Sequence, residues 1–292
     1  MLVAFLLFGT VILVITAFIL YRIRYLKLSI YIMLFISLTL YSYLIFRIVN
    51  EGEQKLVRQD VNGDSLPNAK ASEKISVERI SFVKLKEKVL LDVPIIKQFP
   101  ELPRGCEVTS LAMLLQYKGI QTDKMDLAAK VKKDSTPYRK VNGNIHWGSP
   151  NDGFIGDMYS YSNRGYGVYH KPIKELAEQF LPGQIVDLTG RDFAELKTFL
   201  SLDIPIWIIT NTTYKKLPET AFETWQTPDG EIQITYKEHS VLITGYDGEN
   251  IYFNDPINGE KNRAARTEDF IDAWKQMGSQ AVTYLPEEAI EK

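Results

Sequence analysis

Gln98-Phe-Pro-Glu-Leu-Pro-Arg-Gly-Cys106-Glu-Val-Thr-Ser-Leu-Ala-Met-Leu-Leu-Gln-Tyr117 is the stretch on which the reading of this chain turns. Across 105–117 the apolar side chains Val108, Leu111, Ala112, Leu114 and Leu115 recur at helical spacing, and Gly119 follows as a stop. The spacing predicts an amphipathic helix that opens on Cys106. A lone cysteine in a globular domain is ordinarily a small buried hydrophobe. A core cysteine would more naturally sit in mid-helix, however. A helix N-terminus offers free N–H groups and a positive dipole end, which favour thiolate over thiol. Gly105 permits close backbone approach, and the Cys106 N–H is placed to meet a developing oxyanion. Gln98, eight residues earlier, carries a side-chain amide that can donate to the same oxyanion; its plain alternative is an ordinary surface residue.

A thiolate nucleophile needs a base, usually a histidine oriented by a third group. The chain has three: His146, His170 and His239. The first two sit in loop-like contexts. His239 opens the apolar run Glu-His-Ser-Val-Leu-Ile-Thr-Gly-Tyr246, where a polar residue either caps the strand or faces a cleft. A tight Asp247-Gly248 turn would pair this strand with 251–254 and set position 239 opposite 255 or 256. Asp255 would then lie roughly 5 Å away across adjacent strands, near enough to hold the imidazole. Taken alone, Asn254-Asp255-Pro256 reads as a strand-ending turn. Paired with His239, it becomes a candidate positioning group.

Working outward, helices are expected at 123–132, 171–180, 192–200 and 267–277, the last with Thr267 at its start. Strands are expected at 206–210, 232–236, 239–246, 251–254 and 281–285. Helices mostly precede an antiparallel sheet, so the fold class is α+β. Trp207 and Trp274 read as core. Tyr159, Tyr161, Tyr166 and Tyr169 line a groove or pack a loop. Asn151, Asp152 and Asp157 do not match a calcium-loop spacing and read as a turn-rich rim.

Upstream, 2–20 and 28–46 are apolar runs without a charge, each close to the length that crosses a bilayer. They are joined by Tyr21-Arg-Ile-Arg-Tyr-Leu-Lys27. Residues 1–48 therefore read as a transmembrane hairpin that partners the lipid bilayer. A cleaved signal peptide would need a basic N-terminus, which is missing. The three cations of the short turn favour the cytoplasm and place the soluble domain outside; Arg47, Lys55 and Arg58 weaken the asymmetry. Residues 49–88 are a polar spacer, and 89–292 form the globular domain.

Residues 1–48 hold Arg22, Arg24, Lys27 and Arg47 and no acid, so the remainder is net negative although the whole chain carries only −2. No Lys/Arg stripe supports a nucleic-acid partner. One cysteine excludes an intrachain disulfide and a multi-thiolate zinc site, and no cofactor or metal is expected.

Together, Val-Pro-x-x-x-Gln98-x-Pro-x-x-Pro-x-Gly-Cys106-Glu-Val-Thr-Ser-Leu-Ala-Met, Glu-His239-Ser-Val and Asn-Asp255-Pro resemble the bacteriocin-processing (double-glycine leader) cysteine peptidase-like family, of papain-like fold. The resemblance covers about 90–285 and includes His146-Trp-Gly-Ser-Pro-Asn-Asp-Gly-Phe154-Ile-Gly-Asp157. It implies Cys106 as nucleophile, His239 as base, Asp255 as the group orienting His239, and Gln98 as a member of the oxyanion hole. Transporter-linked members carry exporter helices and a nucleotide-binding domain, which this sequence does not show. The expectation is therefore the stand-alone, exported branch, acting on a peptide or protein substrate, without inherited leader cleavage. Two other readings stand beside hydrolysis: an amidase or acyl/isopeptide transferase on cell-wall peptides, and a catalytically silent surface binding module.

Overall fold

The computed structural model describes residues 84–286, so the membrane hairpin expected at 1–48 and nearly all of the spacer lie outside the described residues. The chain divides into two compact units, Met1–Leu66 and Pro67–Lys292, and every described residue belongs to the second. Among the described residues no helix is long and apolar enough to cross a membrane.

The elements run β1 (Val89–Leu90), α1 (Cys106–Tyr117), α2 (Lys124–Lys130), β2 (Lys133–Asp134), β3 (Arg139–Val141), β4 (Asn144–His146), β5 (Phe154–Ile155) and α3 (His170–Glu178). They continue as β6 (Ile185–Asp187), α4 (Phe193–Ser201), β7 (Ile206–Asn211), β8 (Glu223–Thr227), β9 (Gly230–Ile234) and β10 (Glu238–Tyr246). Last come β11 (Asn250–Asp255), β12 (Glu260–Arg266), α5 (Thr267–Gln276) and β13 (Ala281–Tyr284). The α+β class and the expected helices are present, with ends shifted by a residue or two.

The main sheet is antiparallel, ordered β12-β11-β10-β7-β13-β6, with β1 adding to the far end of β10. β7 and β10 are buried along almost their whole length, which fits their largely apolar runs Ile-Trp-Ile-Ile-Thr and Ser-Val-Leu-Ile-Thr, rich in β-branched residues. α1 lies on these two strands. Ser110 Oγ donates to the Ser240 carbonyl at 3.1 Å, and Trp207 Nε1 donates to the Glu107 carbonyl at 2.9 Å. The helix was expected to show a solvent face; instead every residue from Cys106 to Leu115 is buried. A helix covered on all sides has its first turn fixed by the core, a useful property for a residue at its first position.

Two expectations need correction. The strand expected at 232–236 ends at Ile234 and belongs to a separate four-stranded sheet, β3-β4-β8-β9. A turn in which Glu238 N donates to the Thr235 carbonyl separates it from the main sheet. Thr267 starts α5 as expected, as the first residue of the helix, with its hydroxyl buried and unpartnered among the described residues. The hairpin loop spans three residues, Asp247–Glu249, with the Asp247 carboxylate accepting from Glu249 N and Asn250 N at 2.8 and 2.7 Å.

Gly245 is where β1 and β10 meet most closely. A Cβ there would stand 2.1 Å from the Val89 carbonyl oxygen and 2.9 Å from Leu90 Cα, both backbone atoms that cannot swing away. Gly245→Ala is therefore expected to displace β1 and cost about 1–3 kcal/mol. Urea midpoints of the full chain check this; an unchanged midpoint would show that the edge yields freely.

Candidate active site

Cys106 is the first residue of α1, so its N–H has no partner within the helix. The turn before it is tight: Gly105 N donates to the Leu102 carbonyl at 3.1 Å, and a Cβ at Gly105 would stand 2.5 Å from Leu102 Cβ. His239 lies near the start of β10, fully buried, beside Ser240, which α1 holds. The fold thus carries a residue of the helix start and a residue of the central strand to one place. A cavity of about 320 Å³ opens there, lined by Gln98, Cys106, Tyr166, Tyr236, Glu238 and His239 among others. His146 and His170 line other cavities, and His170 is taken up by Asp187 at 2.7 Å. Of the three histidines, His239 alone shares a cavity with the thiol.

His239 Nε2 lies 3.0 Å from Asp255 Oδ1, while Nδ1 is buried and has no partner. The pairing is not the directly opposed one expected. A bulge between Ile243 and Gly245 shifts the register, leaving Leu242 opposite Asn254. Continuing one step sets Asp255 beside Val241, two residues from His239 and on the same face. The side chains then meet diagonally.

Asp255 is also held by groups the sequence reading missed. Tyr214 donates to Oδ2 at 2.7 Å, Arg263 Nη1 donates to Oδ2 at 2.9 Å, and Ile257 N donates to Oδ1 at 3.0 Å. Burial acts to raise the Asp255 pKa, but the His239 contact, the Tyr214 hydroxyl and the Ile257 N–H outweigh it and hold the carboxyl well below the usual range. Tyr214 packs its ring on Phe253, with centroids 4.6 Å apart, which fixes its hydroxyl.

Cys106 departs from expectation. Its Sγ lies 3.3 Å from Glu107 Oε2 and the residue is 7% exposed. Burial pushes the thiol pKa well up, and the charges of Glu107 and Glu238 add to this. The helix-end field was expected to favour thiolate. Here burial and the flanking acids oppose that field.

Glu107 is fully buried; its Oε1 accepts from Val168 N at 2.7 Å. Burial pushes it up to about 7, against the opposing pull of its own N–H, the Val168 N–H and Cys106. Glu238 is raised by burial and then by Glu107. Neither was singled out from sequence. Glu107 looked like a common first-turn helix acid, and Glu238 like a flank of the His239 motif.

The sign of the Glu107 effect on stability follows. A carboxyl with a raised folded pKa contributes fully below its ordinary value of 4.5, and that contribution is lost as pH rises to about 7. Glu107→Gln keeps an acceptor for Val168 and cannot ionise. The variant is expected to gain on the wild type by on the order of 1–3 kcal/mol between acid and mildly alkaline solution. Denaturation midpoints of both proteins on either side of the window measure it, and parallel curves would contradict it.

Gln98 reaches the cavity, but its Nε2 donates to the Leu102 and Pro103 carbonyls at 3.2 and 2.9 Å and its Oε1 has no partner. The tyrosines divide. Tyr166 and Tyr169 are buried with their hydroxyls 2.9 Å apart, whereas Tyr161 is exposed on the rim and donates to the Pro103 carbonyl at 2.8 Å. Asp157 accepts from Tyr159 N and Asn163 Nδ2 at 2.8 and 2.7 Å, as a turn-forming residue does.

Residues 90–282 match the Peptidase_C39 like family. The chain is 42% identical over 230 residues to the uncharacterized protein YvpB of Bacillus subtilis (strain 168), covering 78% of this chain and 84% of that protein. A crystal structure from Bacillus anthracis, described as a C39-like peptidase, is 48% identical; the match covers 69% of this chain and 99% of that one, with a TM-score of 0.65.

Proposed function

The chain belongs to the Peptidase C39-like family, and from that premise we propose that it is a cysteine peptidase cleaving peptide bonds through Cys106, His239 and Asp255. The observation that carries this reading is the two-sided use of His239. Its Nε2 is bound to Asp255, its Nδ1 is left without a partner, and the residue lines the cavity that also holds the thiol.

In this reading substrate entry displaces water and brings the scissile carbonyl to Cys106. His239 Nδ1 takes the thiol proton as sulfur attacks, giving a tetrahedral adduct whose carbon bears the sulfur, the oxyanion and the leaving nitrogen. Asp255, already ionised, steadies the imidazolium. The Cys106 N–H at the helix start faces the oxyanion. His239 returns the proton to the leaving amine, and water then releases the acyl group by the same proton path.

Gln98 joins the oxyanion hole if its amide exchanges the Pro103 carbonyl for the substrate oxygen. Gln98→Ala is then expected to lower kcat roughly 10²-fold with KM little changed, the usual scale for one oxyanion donor. A rise in KM alone would make Gln98 a loop brace instead.

The direct experiment incubates the purified full chain with a peptide mixture and reads new termini and any acyl adduct on Cys106 by mass spectrometry. Adduct and cleavage support hydrolysis. Capture of the acyl group by an added amine in preference to water would favour the transferase alternative. Intact peptides and an unmodified Cys106 would leave the binding-module reading in its place.

The two apolar runs of 1–48 support a bilayer anchor with the domain outside the cell. A reporter enzyme active only outside the cytoplasm, fused after residue 88, tests this; a silent reporter would reverse the orientation.

A further inference from the structure

Asp255 is 1% exposed, so its carboxylate finds its donors inside the protein. Two reach each oxygen. His239 Nε2 and Ile257 N lie 3.0 Å from Oδ1, while the Tyr214 hydroxyl and Arg263 Nη1 lie 2.7 and 2.9 Å from Oδ2. An ionised carboxylate has about four acceptor sites, and all of them are taken. It accepts and cannot donate. His239 Nε2 therefore carries the proton of their bond, and Nδ1 is the lone-pair nitrogen.

An independent observation singles out Tyr214 among these donors. Its φ is +54°, in the left-handed region that a bulky side chain rarely enters. The short turn after β7 holds it there. Asn211 Oδ1 accepts from Thr213 N and Thr213 Oγ1 at 2.9 and 2.6 Å, and Asn211 Nδ2 donates to the Lys215 carbonyl at 2.9 Å. Tyr214 N donates to the Asn211 carbonyl at 3.0 Å. The ring packs against Phe253 and Phe270, with centroids 4.6 and 6.4 Å away, and the Arg263 guanidinium lies 4.8 Å over it. A phenylalanine would satisfy all of that packing. What it would lack is the hydroxyl, whose partner is Asp255. Burial and the Asp255 charge raise the Tyr214 pKa, so the phenol keeps its proton and stays a donor.

We infer that Tyr214 is a positioning residue of the proposed peptidase: with Arg263 it occupies Oδ2 of Asp255, leaves Oδ1 to His239 Nε2, and so keeps the imidazole in the orientation and tautomer that offer Nδ1 as the base. The inference rests on the proposed function for the role of Nδ1, and on the described geometry for the rest. Without the phenol, Oδ2 has an unfilled acceptor site in a buried place. The carboxylate then turns to share its remaining donors, and its hold on Nε2 loosens. A base displaced in this way slows proton transfer while leaving the substrate contacts intact. The strained turn has its reason here, since it brings a phenol to an oxygen that no residue of β10 or β11 reaches.

Tyr214→Phe in the full chain tests this, and Arg263→Gln, which loses the other donor to the same oxygen, gives the same comparison should the first variant fail to fold. One readout needs no turnover. With nitrogen-15 histidine, the wild type is expected to show a downfield, slowly exchanging Nε2 proton from His239, and exchange with solvent should be roughly tenfold faster in Tyr214→Phe. The other readout uses a peptide that the chain cleaves: kcat should fall roughly tenfold while KM stays within about twofold. In an Asp255→Asn background the same substitution should cost less than about twofold, because the hydroxyl acts only through that carboxylate. An unchanged Nε2 proton overturns the inference, and so does an equally large loss in the Asp255→Asn background. A loss confined to KM also overturns it, since the tyrosine would then brace the cleft. A faster-exchanging Nε2 proton in a chain that cleaves no peptide keeps Tyr214 as the group that orients His239 and sinks the peptidase. Cleavage at equal rates by wild type and Tyr214→Phe does the reverse.

Discussion

Cys106→Ala is expected to lower peptide hydrolysis by roughly 10⁴-fold or more in kcat while leaving the domain folded. The kinetic part follows from chemistry: without sulfur there is no acyl-enzyme, and His239 and the helix start act on water alone. The structural part follows from packing. The side chain is small, buried at the first position of α1, and its polar contacts are to the Glu107 carboxylate and the Ser240 backbone. Val108, Leu111, Met113 and Leu114 continue to seat the helix. Single-turnover assays beside thermal unfolding separate the two effects. A variant keeping more than a tenth of the activity would mean that another residue supplies the nucleophile.

Asp255→Ala is expected to be the next most damaging change, and for two reasons at once. It removes the acceptor for His239, Tyr214, Arg263 and Ile257 N–H together. The Tyr214 hydroxyl and His239 Nε2 are left buried without a partner, while Arg263, about a third exposed, can turn to water. Breaking such a buried set costs about 3 kcal/mol or more. Loss of ring orientation should lower kcat by roughly 10²–10⁴-fold. Asp255→Asn separates position from charge, since its amide oxygen can still accept from Nε2. Because the Asp255 pKa is depressed in the folded state, the wild type carries a stability term that is present above about pH 4 and lost as pH falls further. Asp255→Asn should lack this term, so its acid unfolding curve should be flatter. A wild-type-like acid limb in that variant would show the charge to be inconsequential.

Much of the proposed arrangement was legible because its signals are local. A cysteine opening an apolar helix, a histidine opening a buried strand, and an Asp-Pro step after the returning strand each show in a few residues. The diagonal meeting of His239 and Asp255 was not legible. It depends on a bulge at Ile243/Gly245 that no residue pattern marks. β12, Glu-Lys-Asn-Arg-Ala-Ala-Arg, escaped notice because it is an edge strand bearing charge along much of its length, as edges that resist further pairing do. Yet it delivers Arg263 to Asp255. Glu107 escaped for another reason: burial of an acid is a property of the finished core and has no signature in spacing.

The stitching of α1 to β10 through Ser110 and Ser240 joins residues 130 positions apart. A chain made from its N-terminus therefore holds Cys106 while 133 further residues are added to reach the histidine that would arm it, with the aspartate later still. The helix can form early, but the base and its carboxylate arrive with the last third of the polypeptide, and non-local strand pairing is the slow part of folding. Competence is thus delayed until the domain is nearly complete. In the proposed reading, the connectivity of the fold gives the nascent enzyme its own safety interval.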